Sequence, residues 1–430
     1  MNFPQRIKLG GLGRALPALM VRGGGLGLQF LMSVVVARVL GAEGMGLYTL
    51  YLTWMVLFGD LVSLGMPIYA LRTVAALRAR DQDRSIASFV RRALVLVLAL
   101  GGLFLLLPWW QEALIANWIT GDARLAPAFE CAAVGAWFFV GMRILAETLK
   151  GTGATQRGIF VESATIPLVV LSVLPVLVWR GGIDSVGMLW LHVTAVGVAF
   201  ALAAALWQAR SRRFGDDAGG ESVPAYSPAL WSMWGGTLLN IVYVSLPLML
   251  LPWFATVAEV GHFGVAFRLM NLVTVVMVTL TAVYGPQFAA AYALRDVTRL
   301  RLLMKRSQQI SLLLIAPFLA VFTLGAEPVL GLFGSEFRDA KVLLWILAVG
   351  QLFNAGTGLI GYMLNMMHQE RTEFLILLGT VGLMLVGMIA VGSVAGAVGV
   401  TLVYSGGLIL KNLLSVIFAL RYLNRLETST

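Results

Sequence analysis

Two long apolar segments joined by a short glycine-rich connection occupy residues 14–76. The first segment covers Leu16–Val39, the second covers Leu47–Leu71, and the connection at 41–46 has the sequence Gly-Ala-Glu-Gly-Met-Gly. Because a bilayer core contains no water to bond backbone N–H and C=O groups, an apolar segment of about 20 residues crosses it as a helix. The sequence therefore predicts a transmembrane hairpin with a tight turn over 41–46.

The composition of the whole chain points to the same class of protein. Hydrophobic residues make up 59% of the chain and charged residues only 12%, whereas about 25% of residues are charged in an average soluble domain. The mean hydropathy is +0.87. The net charge of +10 would suit a nucleic-acid partner, but the basic residues lie in short loops between apolar segments. We therefore expect a polytopic membrane protein that binds no nucleic acid.

The hydropathy pattern predicts an all-α protein with twelve transmembrane helices. Of the 31 Lys and Arg residues, 22 fall in the termini and in the loops on one side of these spans, and four fall in the opposite loops. By the positive-inside rule, this asymmetry places both termini in the cytoplasm. The predicted spans are 16–39, 47–71, 91–110, 125–148, 158–179, 187–209, 229–251, 262–290, 308–330, 341–365, 373–393 and 398–420.

The two halves of the chain resemble each other. Gly46-Leu47-Tyr48 opens the second span, and Gly261-His262-Phe263 opens the eighth span 215 residues later. Arg91 and Arg306 are separated by the same interval. An even number of spans per repeat keeps both copies in one orientation, which predicts two six-helix lobes related by a pseudo-two-fold axis along the membrane normal. The predicted domains are an N-terminal lobe (1–209), a cytoplasmic linker (210–228) and a C-terminal lobe (229–430).

Five basic residues fall inside the predicted spans. A charge at the centre of a lipid-facing helix costs roughly 2.5–3.5 kcal/mol, so such residues usually face the bundle interior or an aqueous cavity. We expect the deeper ones to form a cationic cavity, and Arg38 to reach the membrane interface from its helix end. The alternative is ion pairing inside the protein with Asp60, Glu130, Glu147 or Glu162. The five residues are Arg22, Arg38, Arg143, Arg268 and Lys411.

Arg143 shows how such pairing would arise within one helix. Glu147 follows it by four residues, and side chains at this spacing lie next to each other on one helical face. The spacing therefore predicts an Arg143–Glu147 pair as the alternative to a substrate-binding arginine.

Two parallel six-helix lobes around a polar interior are typical of alternating-access transporters. The segment Ala37–Tyr48 (Ala-Arg-Val-Leu-Gly-Ala-Glu-Gly-Met-Gly-Leu-Tyr), preceded by Arg22 and followed by Ser63-Leu64-Gly65 and Arg72, resembles the opening of the polysaccharide transporter family. This family comprises the O-antigen and capsular oligosaccharide flippases of the multidrug/oligosaccharidyl-lipid/polysaccharide exporter superfamily. The second-half copy departs from the family pattern at Gly261-His262-Phe263.

The resemblance implies a flippase that is not an enzyme. Its substrate would be an undecaprenyl-diphosphate-linked oligosaccharide, an O-antigen, capsule or exopolysaccharide unit, moved from the inner to the outer leaflet of a bacterial inner membrane. The expected partners are membrane lipids and the polymerase and chain-length proteins of the same pathway, and we expect a monomer. A diphosphate would need cations, and the planar donor fork of arginine suits phosphate well. The expected diphosphate-binding residues are Arg22 and Arg268, followed by Lys411 and Arg143.

Polar side chains in the spans would line the path of the sugars. The same amides and hydroxyls have a second explanation, because polar groups also form hydrogen bonds between helices and hold a bundle together. The candidate sugar-path residues are Gln29, Asn240, Tyr243, Asn271, Gln351 and Asn354, together with Trp234.

The sequence contains no GxxxxGK[ST] loop, so we expect no nucleotide bound in that way, and we expect no cofactor or metal ion. The membrane potential is one energy source, because moving about two negative charges outward across 100 mV releases roughly 4–5 kcal/mol. Proton or sodium antiport is the other. The candidate ion-coupling residues are Asp60, Glu130, Glu162 and His192.

The first span contains Gly23, Gly24, Gly25 and Gly27. Each glycine weakens a helix by about 1 kcal/mol relative to Ala, which suits a helix that bends during transport. Small residues also allow helices to pack closely without any bending.

Three other functions fit parts of the pattern. A multidrug and cation exporter of the same superfamily would share the fold but would need an acidic cavity. A peptidoglycan-precursor flippase would have a similar mechanism and typically two more spans. A membrane polysaccharide polymerase or ligase would explain a cationic cavity, but such enzymes usually carry a large outer loop, and no predicted outer loop exceeds about fifteen residues.

Overall fold

The computed structural model describes residues 9–120, 125–212, 214 and 229–428, and this part of the chain is helical. A π-helical turn at Val161–Thr165 joins α5 to α6, and 3₁₀ segments at Leu251–Trp253 and Ser335–Ala340 follow α8 and precede α12. The α-helices are α1 (Leu9–Ser63), α2 (Met66–Ala79), α3 (Arg84–Thr120), α4 (Ala126–Gly151), α5 (Thr155–Phe160), α6 (Ile166–Trp179), α7 (Ser185–Ser211), α8 (Ala229–Leu250), α9 (Val257–Ala293), α10 (Val297–Leu324), α11 (Ala326–Gly331), α12 (Lys341–Thr357), α13 (Ile360–Met366) and α14 (Glu370–Thr428).

Ten helical segments within the described ranges are long and apolar enough to cross a membrane. Two of them, in α1 and α14, contain a glycine with non-helical backbone angles, so each of these comprises two spans. Twelve spans result, and each overlaps one of the predicted spans. The predicted all-α polytopic fold is confirmed.

Single glycines interrupt the two longest helices. Gly41 has φ 68° and ψ −175°, and Gly396 has φ 54° and ψ −135°. Residues with a Cβ rarely adopt positive φ, whereas glycine adopts it readily. The turn predicted over 41–46 was therefore wrong in extent. Gly41 alone breaks the helix, and helical structure resumes at Ala42 and includes Gly44 and Gly46.

The chain forms two compact units. The first comprises Met1–Leu40 and Leu50–Leu238, and the second comprises Gly41–Thr49 and Leu239–Thr430. The predicted linker at 210–228 falls mostly outside the described residues, because residues 213 and 215–228 are not described. The domain boundaries proposed from the sequence therefore stay a prediction.

In the first unit, α4 packs against α2, α3 and α7. Its buried face is rich in small residues, including Ala128, Ala132, Gly135 and Ala136, which allow the neighbouring helices to approach closely. Gly135 shows the effect directly. A Cβ added there would lie 3.0 Å from Met55 Sδ and Tyr51 Oη.

In the second unit, α9, α10, α12 and α14 pack against one another. Larger side chains fill one end of this unit, where α9, α13 and the end of α14 meet. Tyr284, Phe288, Ile360, Met363 and Leu423 belong to this buried cluster.

Residues 42–49 of the second unit pack closely against the start of α9. A Cβ on Gly46 would overlap the carbonyl O of Val257, and a Cβ on Gly261 would overlap the carbonyl O of Ala42. Val257 follows Ala42, and Gly261 follows Gly46, by the same 215 residues. Corresponding positions of the two repeats thus make reciprocal contacts.

Candidate functional site

Arg268 lies on α9 in the second unit, half-buried, with its guanidinium over an aromatic ring. Its Cζ is 5.3 Å from the centroid of the Tyr48 ring, and Tyr48 has no solvent exposure. A capping box formed by Thr256 and Glu259 defines where α9 begins. Among the described residues, no carboxylate forms an ion pair with Arg268. The ring attracts the cation without neutralising it.

Arg22 lies on the first half of α1, in the first unit, and its side chain is exposed. Within the part of the chain that the structure describes, it has no ion pair with a carboxylate. Gly23 and Gly24 follow it, and a Cβ on either would meet no atom within 4 Å. Arg22 is therefore open to an anionic ligand.

Lys411 has a carboxylate partner. Its Nζ is 2.7 Å from Glu373 Oε1, and both side chains are largely buried. Ser415 Oγ donates to the other Glu373 oxygen at 2.9 Å. Of the two cations predicted in the second unit, Lys411 is neutralised within the protein and Arg268 is not. Glu373 was not among the partners expected from the sequence.

Arg143 pairs across two helices with Asp60. Arg143 Nη1 donates to Asp60 Oδ1 at 2.6 Å, and the Asp60 side chain is 4% exposed. Trp234 Nε1 donates to the carbonyl O of Asp60 at 3.1 Å, on the backbone of the same residue. Of the four carboxylates considered as internal partners, Asp60 is the one that binds Arg143, and the pair between Arg143 and Glu147 was wrong. The helical register allows that pair, but the close approach of α1 and α4 gives Arg143 a more buried carboxylate.

Glu147 instead binds Lys150, which also reaches Glu162. Lys150 Nζ donates to Glu147 Oε1 at 2.7 Å and to Glu162 Oε2 at 2.8 Å. Lys150 lies in the last turn of α4 and was not among the charged residues expected to pair inside the protein. Its spacing of three residues from Glu147 was the available signal.

Two further arginines lie near the ion pairs of the first unit. Three carboxylates (Asp60, Glu147, Glu162) and two cations (Arg143, Lys150) take part in these ion pairs. Arg78 and Arg210 add two guanidinium groups that donate to the carbonyl O of Thr152 at 2.7 Å, two residues beyond Lys150.

Glu162 sits in the π-helical turn Val161–Thr165. π-Helical turns are rare and frequently occur at functional sites. The first span packs against this turn: Gln29 Nε2 donates to the carbonyl O of Ser163 at 3.2 Å, and a Cβ on Gly25 would overlap the Ser163 side chain. Gln29 thus forms a hydrogen bond between two helices, which is the structural role considered for it as an alternative to the sugar path.

The predicted sugar-path residues divide into two groups. Asn354 Nδ2 donates to Gln351 Oε1 at 3.1 Å, and Asn412 Nδ2 donates to Asn354 Oδ1 at 3.1 Å. This amide chain joins α12 to α14, and Asn412, next to Lys411, was missed. By contrast, Asn240 and Asn271 are exposed.

Tyr243 is buried against an aromatic neighbour. It is 6% exposed, and its ring centroid lies 6.3 Å from that of Tyr404. Its placement is that of a packing residue with a polar tip.

The remaining candidates for ion coupling are His192 and Glu130. His192 Nδ1 is 2.9 Å from Tyr51 Oη in the core of the first unit, and Tyr51 Oη also contacts Met55 Sδ at 3.3 Å. Glu130 is half-buried on α4. Within the described ranges, no group of three or more His, Cys, Asp or Glu side chains is arranged to hold a metal ion.

The sequence matches the model of one protein family. The model for polysaccharide biosynthesis proteins matches residues 16–291, which is more than half of the chain. The chain belongs to the polysaccharide biosynthesis protein family. The family inferred from Ala37–Tyr48 is thereby confirmed. Comparison with curated proteins gave no significant match.

Solved structures show the fold that this polysaccharide biosynthesis protein shares. A multidrug resistance MATE family transporter of the MOP superfamily in an inward-facing conformation is 16% identical, with a TM-score of 0.77, and the match covers 97% of this chain and 99% of that one. An outward-facing structure of such a transporter has a TM-score of 0.64 at 16% identity, with 96% and 95% covered. A MOP superfamily transporter from Pyrococcus furiosus, described as having a binding pocket of reversed polarity that suggests a different function, has a TM-score of 0.63 at 16% identity, with 96% and 95% covered. The polysaccharide biosynthesis protein therefore has the MOP transporter fold.

Proposed function

We propose that the protein is a flippase for an undecaprenyl-diphosphate-linked oligosaccharide, which it moves from the inner to the outer leaflet of a bacterial inner membrane. Its termini are in the cytoplasm, and it works by alternating access, without enzymatic turnover. Membership of the polysaccharide biosynthesis family and the transporter fold support the proposal.

One observation carries the proposal. Of the four cations expected to bind diphosphate, Arg143 and Lys411 are neutralised by carboxylates, whereas Arg22 and Arg268 have no carboxylate partner among the described residues. Each unit thus contributes one arginine that is free to bind an anion. A charged side chain is rare in a membrane span and is usually functional, and the guanidinium group suits a diphosphate.

The exposed amides fit the rest of the substrate. Asn240 and Asn271 are the predicted sugar-path residues whose side chains are accessible. Gln351 and Asn354 already bond within the amide chain, so their role is to hold α12 and α14 together. Asn240 and Asn271 are therefore the first candidates to bind the sugars.

Coupling to an ion gradient is part of the same proposal. Lys150 is shared by Glu147 and Glu162, so it keeps one carboxylate partner when Glu162, on the π-helical turn, takes up a proton or a sodium ion as the carrier. Asp60 is less suited to this role, because Arg143 already compensates its charge.

Charge variants of the two arginines test the function in cells. Arg22→Gln and Arg268→Gln should each reduce surface polysaccharide and cause lipid-linked intermediate to accumulate, and Arg22→Lys and Arg268→Lys should restore part of the activity. Arg299→Gln, an exposed arginine on the first turn of α10, is the matched control. If the double variant Arg22→Gln/Arg268→Gln keeps normal surface polysaccharide at an unchanged protein level, the proposal is wrong.

The multidrug exporter alternative makes the opposite prediction. A cation exporter would raise resistance to cationic drugs, and removing Arg22 and Arg268 would improve or preserve that resistance because two positive charges that repel a cation would be lost. Growth of expressing cells in cationic drugs distinguishes the two functions.

A further inference from the structure

The second unit contains a groove between the two halves of α14 that the proposed transport function does not use. Two cavities adjoin there. One, of ≈ 200 Å³, is lined by two arginines and three polar side chains together with Leu364 and Phe418. The other, of ≈ 330 Å³, is lined mainly by apolar side chains. Thr372 and Phe418 line both cavities, so the two form one continuous groove.

The polar end of the groove carries two arginines on one helical face. Arg421 and Arg425 are four residues apart, and both are exposed. Within the described residues, neither forms an ion pair with a carboxylate. Tyr422 lies between them in the sequence, and its Oη is 2.9 Å from Tyr292 Oη. The polar end of the groove is thus positively charged, and Tyr422 connects it to α9.

The apolar end is lined by aliphatic and aromatic side chains of both halves of α14. Leu375, Ile376 and Leu383 come from the first half, and Leu414 and Phe418 come from the second. Gly379 lines the same cavity, and a Cβ added to it would meet no atom within 4 Å. The missing side chain at Gly379 leaves room for a ligand chain.

We propose that this groove binds one anionic glycerophospholipid of the bilayer, with its phosphate on Arg421 and Arg425 and an acyl chain along Gly379. Arginine pairs bind phosphate oxygens by charge-assisted hydrogen bonds, and juxtamembrane cations attract anionic headgroups. The positively charged end of the groove matches the phosphate headgroup of a phospholipid, and the adjoining apolar end matches its acyl chain.

The length of the groove favours a phospholipid over the transported substrate. From Thr372 to Leu383 the helix rises about 16 Å at 1.5 Å per residue. This is about half of the ~30 Å hydrocarbon core, which is the depth of one leaflet. An acyl chain has this reach, whereas an undecaprenyl tail is much longer than one leaflet is deep.

Native mass spectrometry of the purified full-length protein tests the assignment, with phosphatidylglycerol, phosphatidylcholine and undecaprenyl phosphate as probes. The wild-type protein should retain phosphatidylglycerol in preference to phosphatidylcholine. Each of Arg421→Gln and Arg425→Gln should weaken phosphatidylglycerol binding about fivefold, as expected for one juxtamembrane cation. Arg371→Gln changes an exposed arginine that is next in sequence to the groove residue Thr372 but does not line the groove, and it should leave binding within about twofold.

A second pair of variants tests the apolar end. Gly379→Leu fills the groove and should abolish retention of phosphatidylglycerol, whereas Gly382→Leu should not. Gly382 is a matched control because a Cβ there also meets no atom within 4 Å, but it lies outside the groove. Leu is a better helix former than Gly, so both variants should keep or raise the melting temperature.

Three outcomes would overturn the proposal. These are equal retention of phosphatidylcholine and phosphatidylglycerol, equal binding by the Gly379→Leu and Gly382→Leu proteins, or stronger retention of undecaprenyl phosphate than of phosphatidylglycerol at the same arginines. The last outcome would make the groove a substrate site instead. The proposal does not depend on the flippase function, because lipid retention is measured without transport.

Discussion

Gly46 and Gly261 occupy a contact where neither helix has room for a side chain. A Cβ on Gly46 would overlap the Val257 carbonyl, and a Cβ on Gly261 would overlap the Ala42 carbonyl. Ala42 and Val257 are 215 residues apart, as are Gly46 and Gly261, so each contact joins one copy of the internal repeat to the other. The obstructing atoms are backbone atoms, which cannot move aside as a flexible side chain can. This contact therefore requires glycine on both helices.

Gly261→Ala should destabilise the protein. Overpacking of a close contact costs about 1–3 kcal/mol, so the melting temperature of the detergent-solubilised protein should fall. Gly406→Ala is the matched control in the second unit, since a Cβ there would meet no atom within 4 Å. Equal melting temperatures for the two variants would contradict the contact.

The Asp60–Arg143 pair should be sensitive to the loss of one partner only. Asp60→Asn leaves Arg143 without its carboxylate, and breaking a buried pair in this way costs roughly 3 kcal/mol. The double variant Asp60→Asn/Arg143→Gln should recover much of the lost stability. A double-mutant cycle of unfolding free energies measures the coupling, and additive losses would show that the two side chains do not interact.

Lys411 was predicted to bind diphosphate, but its ion pair with Glu373 suggests a structural role instead. Variants of the two residues distinguish these roles. Lys411→Gln alone should reduce transport by leaving the Glu373 charge uncompensated. If the pair is structural, Lys411→Gln/Glu373→Gln should restore surface polysaccharide to near the wild-type level. If Lys411 binds the diphosphate, the double variant should stay as defective as Arg268→Gln.

The glycines of the first span should not be equivalent. Gly25→Ala should lower the melting temperature, because the new Cβ overlaps the Ser163 side chain. The combination Gly25→Ala/Ser163→Gly should relieve most of this loss. Gly23→Ala and Gly24→Ala meet no neighbouring atom, and each should stabilise the helix by up to about 1 kcal/mol. Loss of transport in these two variants without loss of stability would show that the helix must bend.

Glu162→Gln should uncouple transport if this carboxylate carries the ion. Lys150 keeps its bond to Glu147 in the variant, so the first unit should remain folded. Glu147→Gln is the matched control, because it removes the other carboxylate of Lys150 without changing the π-helical turn. Transport into vesicles with and without an imposed proton or sodium gradient distinguishes them. Equal responses of the two variants would rule out Glu162 as the specific carrier.

Patterns within short stretches of the sequence were sufficient to predict the transmembrane helices. The length of each apolar segment fixes a span because backbone polar groups must be bonded within the helix, and this requirement does not depend on neighbouring segments. The family was also recognisable, because Ala37–Tyr48 is a continuous motif. Gly46 and Gly261 were found as a repeat for the same reason, although their mutual contact was not.

The partners of the charged residues were decided by tertiary structure. Spacing along one helix favoured Glu147 as the partner of Arg143, yet Asp60, 83 residues away in the sequence, binds it. Glu373 pairs with Lys411 from the other half of α14 in the same way. An ion pair between helices depends on how deeply and in which rotation the helices pack, and that register follows from the close approach of small residues on several helices at once. A pattern within one helix contains none of this information, so which intramembrane cations stay available for a ligand is a property of the folded protein alone.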